Sequence, residues 1–172
     1  MIINRIQQQS DRGFTLIELM VALIIVGVIA AIATPSFVGL LNRIRVNNAL
    51  QELLGAIRET QKMATRHGKV CQLDINTETK ILNSSDNDCL LTTRTINEDV
   101  IIRTNLPGLN PNIPFSPKGT TTRMGTIVLS SELTDTQKCF VISLGLGIMR
   151  TGNYTGSKDG SVSANNCEKL NN

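Results

Sequence analysis

The sequence predicts an α+β protein. A long N-terminal α-helix, membrane-spanning in its first half, packs on a small C-terminal antiparallel β-sheet or β-sandwich domain. Three observations carry this expectation. Residues 19–41 contain no charged side chain over 23 positions. An apolar stripe at spacings of three and four then continues to residue 64. Beyond Gly68 the pattern shortens to period-two runs separated by turn compositions, and all four cysteines lie there.

The first segment comes first in the chain and in the argument. At about 1.5 Å per residue, a 23-residue helix covers roughly 34 Å, enough to cross a bilayer core. Gly27, Ala30, Ala31, Ala33 and Gly39 punctuate it, and small residues suit close helix–helix approach. Pro35 lacks an amide donor and is expected to kink or loosen the helix. Arg5 and Arg12 precede the span and Arg43 and Arg45 follow it, so flanking charge alone does not set orientation. One charge, Glu18, sits just inside the N-terminal edge. A secretory signal reading would place a small-residue cleavage site at Ala31 and Ala33. It leaves Glu18 unexplained and discards a helix whose pattern continues through Val46, Leu50, Leu53, Leu54, Ile57 and Ala64. Gly68 is the expected stop, with Arg66 and His67 facing the helix dipole in the last turn.

After the helix, Cys71, Leu73 and Ile75 alternate with polar residues and predict a half-buried strand. Residues 100–102, 126–129 and 139–144 are further β-rich runs, whereas 83–88, 107–111 and 151–153 have turn or loop composition. Residues 157–172 are polar and are expected to wander unless Cys167 ties them back. Four cysteines beyond a membrane-targeting segment imply two disulfides in an oxidising compartment. Of three pairings, Cys71–Cys89 with Cys139–Cys167 is favoured because each closes a local loop, worth about 3 kcal/mol per unstrained bridge.

Charge and chemistry narrow the function. The net charge of +3 lies before residue 67, and the ten basic and ten acidic side chains after it cancel. That balance argues against nucleic acid as a partner. His67 is the only histidine, Asp86 and Asp88 lack calcium-loop spacing, and Lys118 with Gly119 lacks the rest of a phosphate loop. No catalytic constellation, metal site or cofactor motif is legible.

Gly13, Phe14, Thr15, Leu16, Ile17 and Glu18, followed by the apolar run and Pro35, resemble the class III signal sequence of type IV pilins and type II secretion pseudopilins. The resemblance implies that a prepilin peptidase cuts after Gly13 and methylates Phe14. Glu18 becomes the fifth residue of the mature chain and sets axial register by pairing with a neighbouring N-terminus. Further along, IPFSPKG at 113–119, TIVL at 126–129, FVISL at 140–144 and GIMR at 147–150 resemble the C-terminal pattern of the GspH/FimT family of minor pseudopilins and minor pilins. In that family the last strand often carries Gly-Arg-x-Arg. Only Gly147 and Arg150 match here, which weakens any function resting on a basic C-terminal patch.

The resemblance implies a pilin-like fold and four regions: a leader at 1–13, a transmembrane and assembly helix at 14–41, its amphipathic continuation at 42–67, and a β-rich periplasmic domain at 68–172. It implies a single-pass protein of the bacterial inner membrane that is not an enzyme and takes no cofactor. Its partners would be other pseudopilins or pilins through the N-terminal helix, and the prepilin peptidase. The leading expectation is a minor pseudopilin, near the pseudopilus tip of a type II secretion system. A minor type IV pilin in pilus assembly or DNA uptake is the alternative, and a membrane-anchored or secreted enzyme is the reading from another class.

Overall fold

The computed structural model describes residues 13–108, 110–144 and 148–169, with the side chains of residues 33–35 also outside the description. The leader before Gly13 and Gly147 therefore lie outside the described residues, and Pro35 is placed only as part of a helix. The chain divides into two compact units, residues 1–37 and 38–172.

One helix, α1, covers Leu16–His67. In the first unit every described side chain is exposed, including Leu16, Ile17, Leu23, Ile24, Val28, Ile29 and Ile32. In the second unit the same helix is amphipathic. Val46, Ala49, Leu50, Leu53, Leu54, Ala56, Ile57, Met63 and Ala64 are buried, while Gln51, Arg58, Lys62 and Arg66 are exposed. The i, i+3, i+4 spacing thus becomes one buried face, as a helix against a core requires. Gly68 ends the helix with φ of +64°, the left-handed conformation that glycine adopts without Cβ strain.

Two antiparallel sheets follow. The first has strand order β3-β2-β1-β5, formed by β1 (Cys71–Ile75), β2 (Ile81–Asn83), β3 (Arg94–Thr95) and β5 (Asn112–Phe115). The second has order β4-β6-β7-β8-β9, with β4 (Ile101–Thr104), β6 (Gly125–Ser131), β7 (Thr134–Ile142), β8 (Met149–Tyr154) and β9 (Cys167–Lys169). One long helix followed by antiparallel sheets is the fold class expected from the sequence.

Both sheets share a core with α1. Leu73, Ile75, Leu82, Ile113 and Phe115 of the first sheet and Ile102, Ile127, Leu129, Phe140 and Ile142 of the second join the helix residues in one cluster. Alternate residues of the second sheet, Val128, Cys139, Val141, Tyr154 and Cys167, form a smaller cluster on its other face, covered by Val162 and Ala164. β6 is therefore buried on both faces, and its near-continuous apolar run reflects that.

Polar contacts fix the helix against this domain. Arg94 of β3 lies over Gly55 and reaches Glu59 at 2.7 Å and Glu52 at 3.3 Å. A Cβ on Gly55 would stand 2.4 Å from the Arg94 guanidinium, so the glycine opens the notch in which the arginine sits. Gln61 Nε2 donates to the Gly119 carbonyl at 2.8 Å, and Arg45 pairs with Asp99. Buried Asn42 donates to the Val38 carbonyl at 2.9 Å and accepts from Ser131 at 3.4 Å.

Two sequence expectations are corrected, and the condition set for the polar C-terminal stretch, that Cys167 tie it back, is met over residues 157–169. Residues 151–153 are not a turn but the middle of β8. Gly152 is there because a Cβ would stand 1.7 Å from the Glu168 carbonyl oxygen, so only glycine lets β9 approach. The strand expected over 139–144 begins earlier, at Thr134, and ends at Ile142, where the chain turns and Ser143 N–H donates to the Ile148 carbonyl. Residues 157–169 form an ordered strap over the second sheet. Cys139–Cys167 ties it at one end, and Arg103 Nη1 donates to the carbonyls of Ser157 and Gly160, both at 3.1 Å. The hydroxyl of Tyr154 accepts from Ser163 N–H at 3.1 Å and donates to the Ser161 carbonyl at 3.3 Å.

Candidate assembly helix and its N-terminal site

Helix α1 starts at Leu16 because Thr15 caps it. The Thr15 hydroxyl oxygen accepts from Glu18 N–H at 3.3 Å, and the Thr15 carbonyl accepts from Leu19 N–H at 3.1 Å. The same hydroxyl donates to Glu18 Oε2 at 3.5 Å. Threonine followed three residues later by glutamate is the spacing of a capping box, and it satisfies helix donors that hydrocarbon cannot. Sequence reasoning missed Thr15, although the T-x-x-E spacing was there to find it.

Glu18 thus has a local role besides any pairing between chains. Its carboxylate lies in the first turn, where the helix dipole favours negative charge by about 0.3–1 kcal/mol. It is exposed and forms no ion pair among the described residues. Phe14 is 78% exposed and Gly13, also exposed, precedes it outside the helix, so the junction between them is open on the surface.

Beyond this junction the helix offers an exposed apolar surface among the described residues. Phe14, Leu16, Ile17, Leu19, Met20 and Val21 lead it, and none is buried. A soluble monomer seldom leaves such a patch uncovered. Length, composition and exposure fit insertion in a membrane or packing against other helices.

The other candidate residues lie elsewhere. The cysteines are all paired, Cys71–Cys89 and Cys139–Cys167. The first bridge fastens β1 to the 84–90 loop, where Lys69 meets Asp86 at 2.6 Å and Asp88 at 3.1 Å. The hydrogen bonds to Asp86 and Asp88 raise Lys69 above its ordinary value. Lys69 and then the Asp88 amide hold the Asp86 carboxyl below the usual carboxylate range. Arg150 is in β8 and donates to the Ala164 carbonyl at 2.7 Å. His67 ends the helix, exposed.

Comparison with known proteins places the N-terminal segment. Residues 8–34 match the family described as the prokaryotic N-terminal methylation motif. Fimbrial protein EcpB of Eikenella corrodens is 31% identical over 103 residues, 60% of this chain and 64% of that protein. A fimbrial protein of Pseudomonas aeruginosa is 38% identical over 61 residues, 36% of this chain and 39% of its own length. The chain thus spans less than two thirds of the length of these relatives. The solved minor pseudopilin EpsH from the type 2 secretion system of Vibrio cholerae aligns with a TM-score of 0.47 at 16% identity, over 65% of this chain and 96% of that one. The chain thus carries the prokaryotic N-terminal methylation motif at the head of a long helix followed by antiparallel sheets, and part of it is similar in sequence to fimbrial proteins.

Proposed function

We propose that this chain is a minor pseudopilin of the GspH/FimT type, a structural subunit near the tip of the pseudopilus of a type II secretion system. The observation that carries the reading is the apolar first half of α1, whose described side chains up to Val38 are all exposed, headed by Gly13, Phe14 and Glu18. In this reading a prepilin peptidase removes residues 1–13 and methylates Phe14. Residues 14–41 anchor the subunit in the inner membrane and later pack against other subunits. Residues 42–67 carry the helix into a periplasmic β domain at 68–172.

Glu18 is the register element. A carboxylate in hydrocarbon costs on the order of 3 kcal/mol near the bilayer centre and less at an edge. The new amine of Phe14 is one helical turn away in the same chain, and the amine of an adjacent subunit offers an intermolecular partner. Pairing is strongest where low dielectric surrounds it, so it rewards docking at one axial offset. The second reading, a minor type IV pilin, is favoured by the identity with fimbrial proteins.

Deleting the gene and complementing it in its own host separates the readings. The secretion reading expects exported proteins to accumulate inside the envelope while surface pili persist. Loss of pili with normal export would transfer the chain to the pilin reading. Mass spectrometry of the mature protein should show residues 1–13 missing and one methyl group on Phe14. A mature chain beginning at Thr34 would defeat both.

A further inference from the structure

The tip of one hairpin lies beside the end of the charge-free stretch of α1. β6 and β7 join through Glu132 and Leu133, with Ser131 paired to Thr134. Both sides of the tip are fastened to the helix. Ser131 Oγ donates to buried Asn42 Oδ1 at 3.4 Å, and Arg43 Nε donates to Thr136 Oγ1 at 3.2 Å. The Leu133 carbonyl oxygen stands 3.9 Å from the place that a Cβ on Gly39 would take. Residues 38–41 of the helix belong to the same compact unit as the hairpin and are the last of the uncharged positions.

Depth follows from length. A bilayer core of about 30 Å takes about twenty helical residues, so a span that begins at Leu19 runs out near Val38. Val38, Leu40 and Leu41 are exposed at that boundary between acyl chains and headgroups. Arg43 follows at headgroup level, exposed and with no carboxylate partner among the described residues. Leu133 is 58% exposed beside them. The turn does not call for leucine, because two-residue hairpin loops favour Asn, Asp and Gly. Nor does charge invite an anionic partner. A hollow next to the tip is lined by Glu98, Asp99 and Glu132. Asp99 is paired with Arg45, and Glu98 and Glu132 form no ion pair among the described residues.

We propose that Leu133 inserts at the acyl-chain boundary of the bilayer that α1 spans, making the β6–β7 tip a second membrane contact beside the helix. Leu133, Leu40 and Leu41 meet the outer ends of the acyl chains. The Arg43 guanidinium meets the headgroup phosphates, while Glu98 and Glu132 stay in headgroup water. A single span leaves a domain free to turn about the helix axis. A second contact tied to that helix through Asn42 and Arg43 selects the side of the domain that lies on the lipid. The inference rests on the reading of residues 14–41 as a membrane anchor and adds to it a lipid-contacting residue far from the anchor in sequence.

The chain contains no tryptophan, so single substitutions report position directly. Full-length Leu133→Trp, Leu91→Trp and Ile29→Trp are reconstituted in phosphatidylcholine vesicles. The acyl chains carry bromine, which quenches tryptophan, either near the headgroup or near the chain end. Leu91 controls for exposure. It is 71% exposed, and its N–H donates to Glu59, about 30 Å along the helix from Gly39. Leu133→Trp should be quenched about twofold by bromine near the headgroup and less by bromine near the chain end, with its emission shifted to shorter wavelength. Ile29→Trp should be quenched most by bromine near the chain end. Leu91→Trp should be quenched by neither, which shows that tryptophan alone does not draw the domain to the lipid. Intact disulfides in all three variants show that the domain is folded. Quenching of Ile29→Trp without quenching of Leu133→Trp overturns the inference and leaves the anchor standing. Absent quenching of Ile29→Trp removes the anchor and the inference together. Equal quenching of Leu91→Trp and Leu133→Trp overturns the contact as a specific one. A shifted but unquenched Leu133→Trp gives the tip to a second copy of the chain instead of lipid.

Discussion

At the scale of single residues, Glu18 serves two ends of one argument. Within the chain it stands at the third position of a helix capped by Thr15, and both groups exchange hydrogen bonds. Between chains it is the proposed partner of a neighbouring N-terminus. Two substitutions separate these roles. Glu18→Gln keeps the length and the capping spacing but removes the charge, whereas Glu18→Ala removes both. If register depends on the ion pair, both variants insert and form their disulfides normally but fail to co-purify with other filament subunits after crosslinking. Recovery of partner capture by Glu18→Gln alone would assign the residue to the cap. Gly152 is a second position where one atom decides. An alanine Cβ would collide with the Glu168 backbone, which cannot swing aside as a side chain can. Gly152→Ala should cost about 1–3 kcal/mol through strain or loss of the β8–β9 pairing. Denaturant titration at matched redox state measures it, and an unchanged midpoint would show that β9 contributes nothing to stability.

At the scale of elements, legibility in the sequence followed how local the determining physics is. Helix α1 could be read to its last residue because its apolar spacing and Gly68 are local signals. β1 could be read because Cys71, Leu73 and Ile75 alternate over a face that is buried on one side only. β8 could not, because Gly152 and Asn153 have turn composition, and the reason for the glycine is Glu168, which is distant in sequence. The strap was legible only through Cys167, which ties it back to Cys139. Arg103, 54 residues before Ser157, organises it through carbonyl contacts that no sequence pattern encodes. At the N-terminal end, the place of Glu18 in the first helical turn was legible, whereas the cap formed by Thr15 was overlooked. The loop joined to β1 by the first disulfide adds a pH test. Asp86 is held below the ordinary carboxylate range by Lys69, so its contribution is present above that range and is lost as pH falls through the lowered value. Lys69 is raised, so its contribution holds below its ordinary value and is lost as pH rises through the raised one. The clasp is therefore intact across neutral pH. Asp86→Asn should lower the denaturation midpoint at neutral pH and converge with wild type in strong acid. A difference that persists undiminished at pH 2 would show that the effect is not the ion pair.

At the scale of the whole molecule, the two units differ in what holds them. The unit from residue 38 onward has its own core, beginning at Val46 and drawing on the helix and both sheets, with two disulfides closing it. The unit before it has no buried side chain among the described residues, so they form no core there. Isolated helices of this kind are marginal in water, and a membrane or a neighbouring helix must supply the burial. The consequence can be measured. A chain beginning at Ser36, a residue type suited to capping the remaining helix, discards the apolar segment and leaves every core residue in place. It should be soluble without detergent, monomeric, and oxidised at both cysteine pairs. It should unfold in one transition, with a midpoint within a few degrees of the full chain in micelles. The full chain without detergent should aggregate through the exposed apolar surface. Should the truncated chain instead aggregate or lose its cooperative transition, the first half of α1 would be part of the folding unit rather than an anchor and assembly surface attached to it.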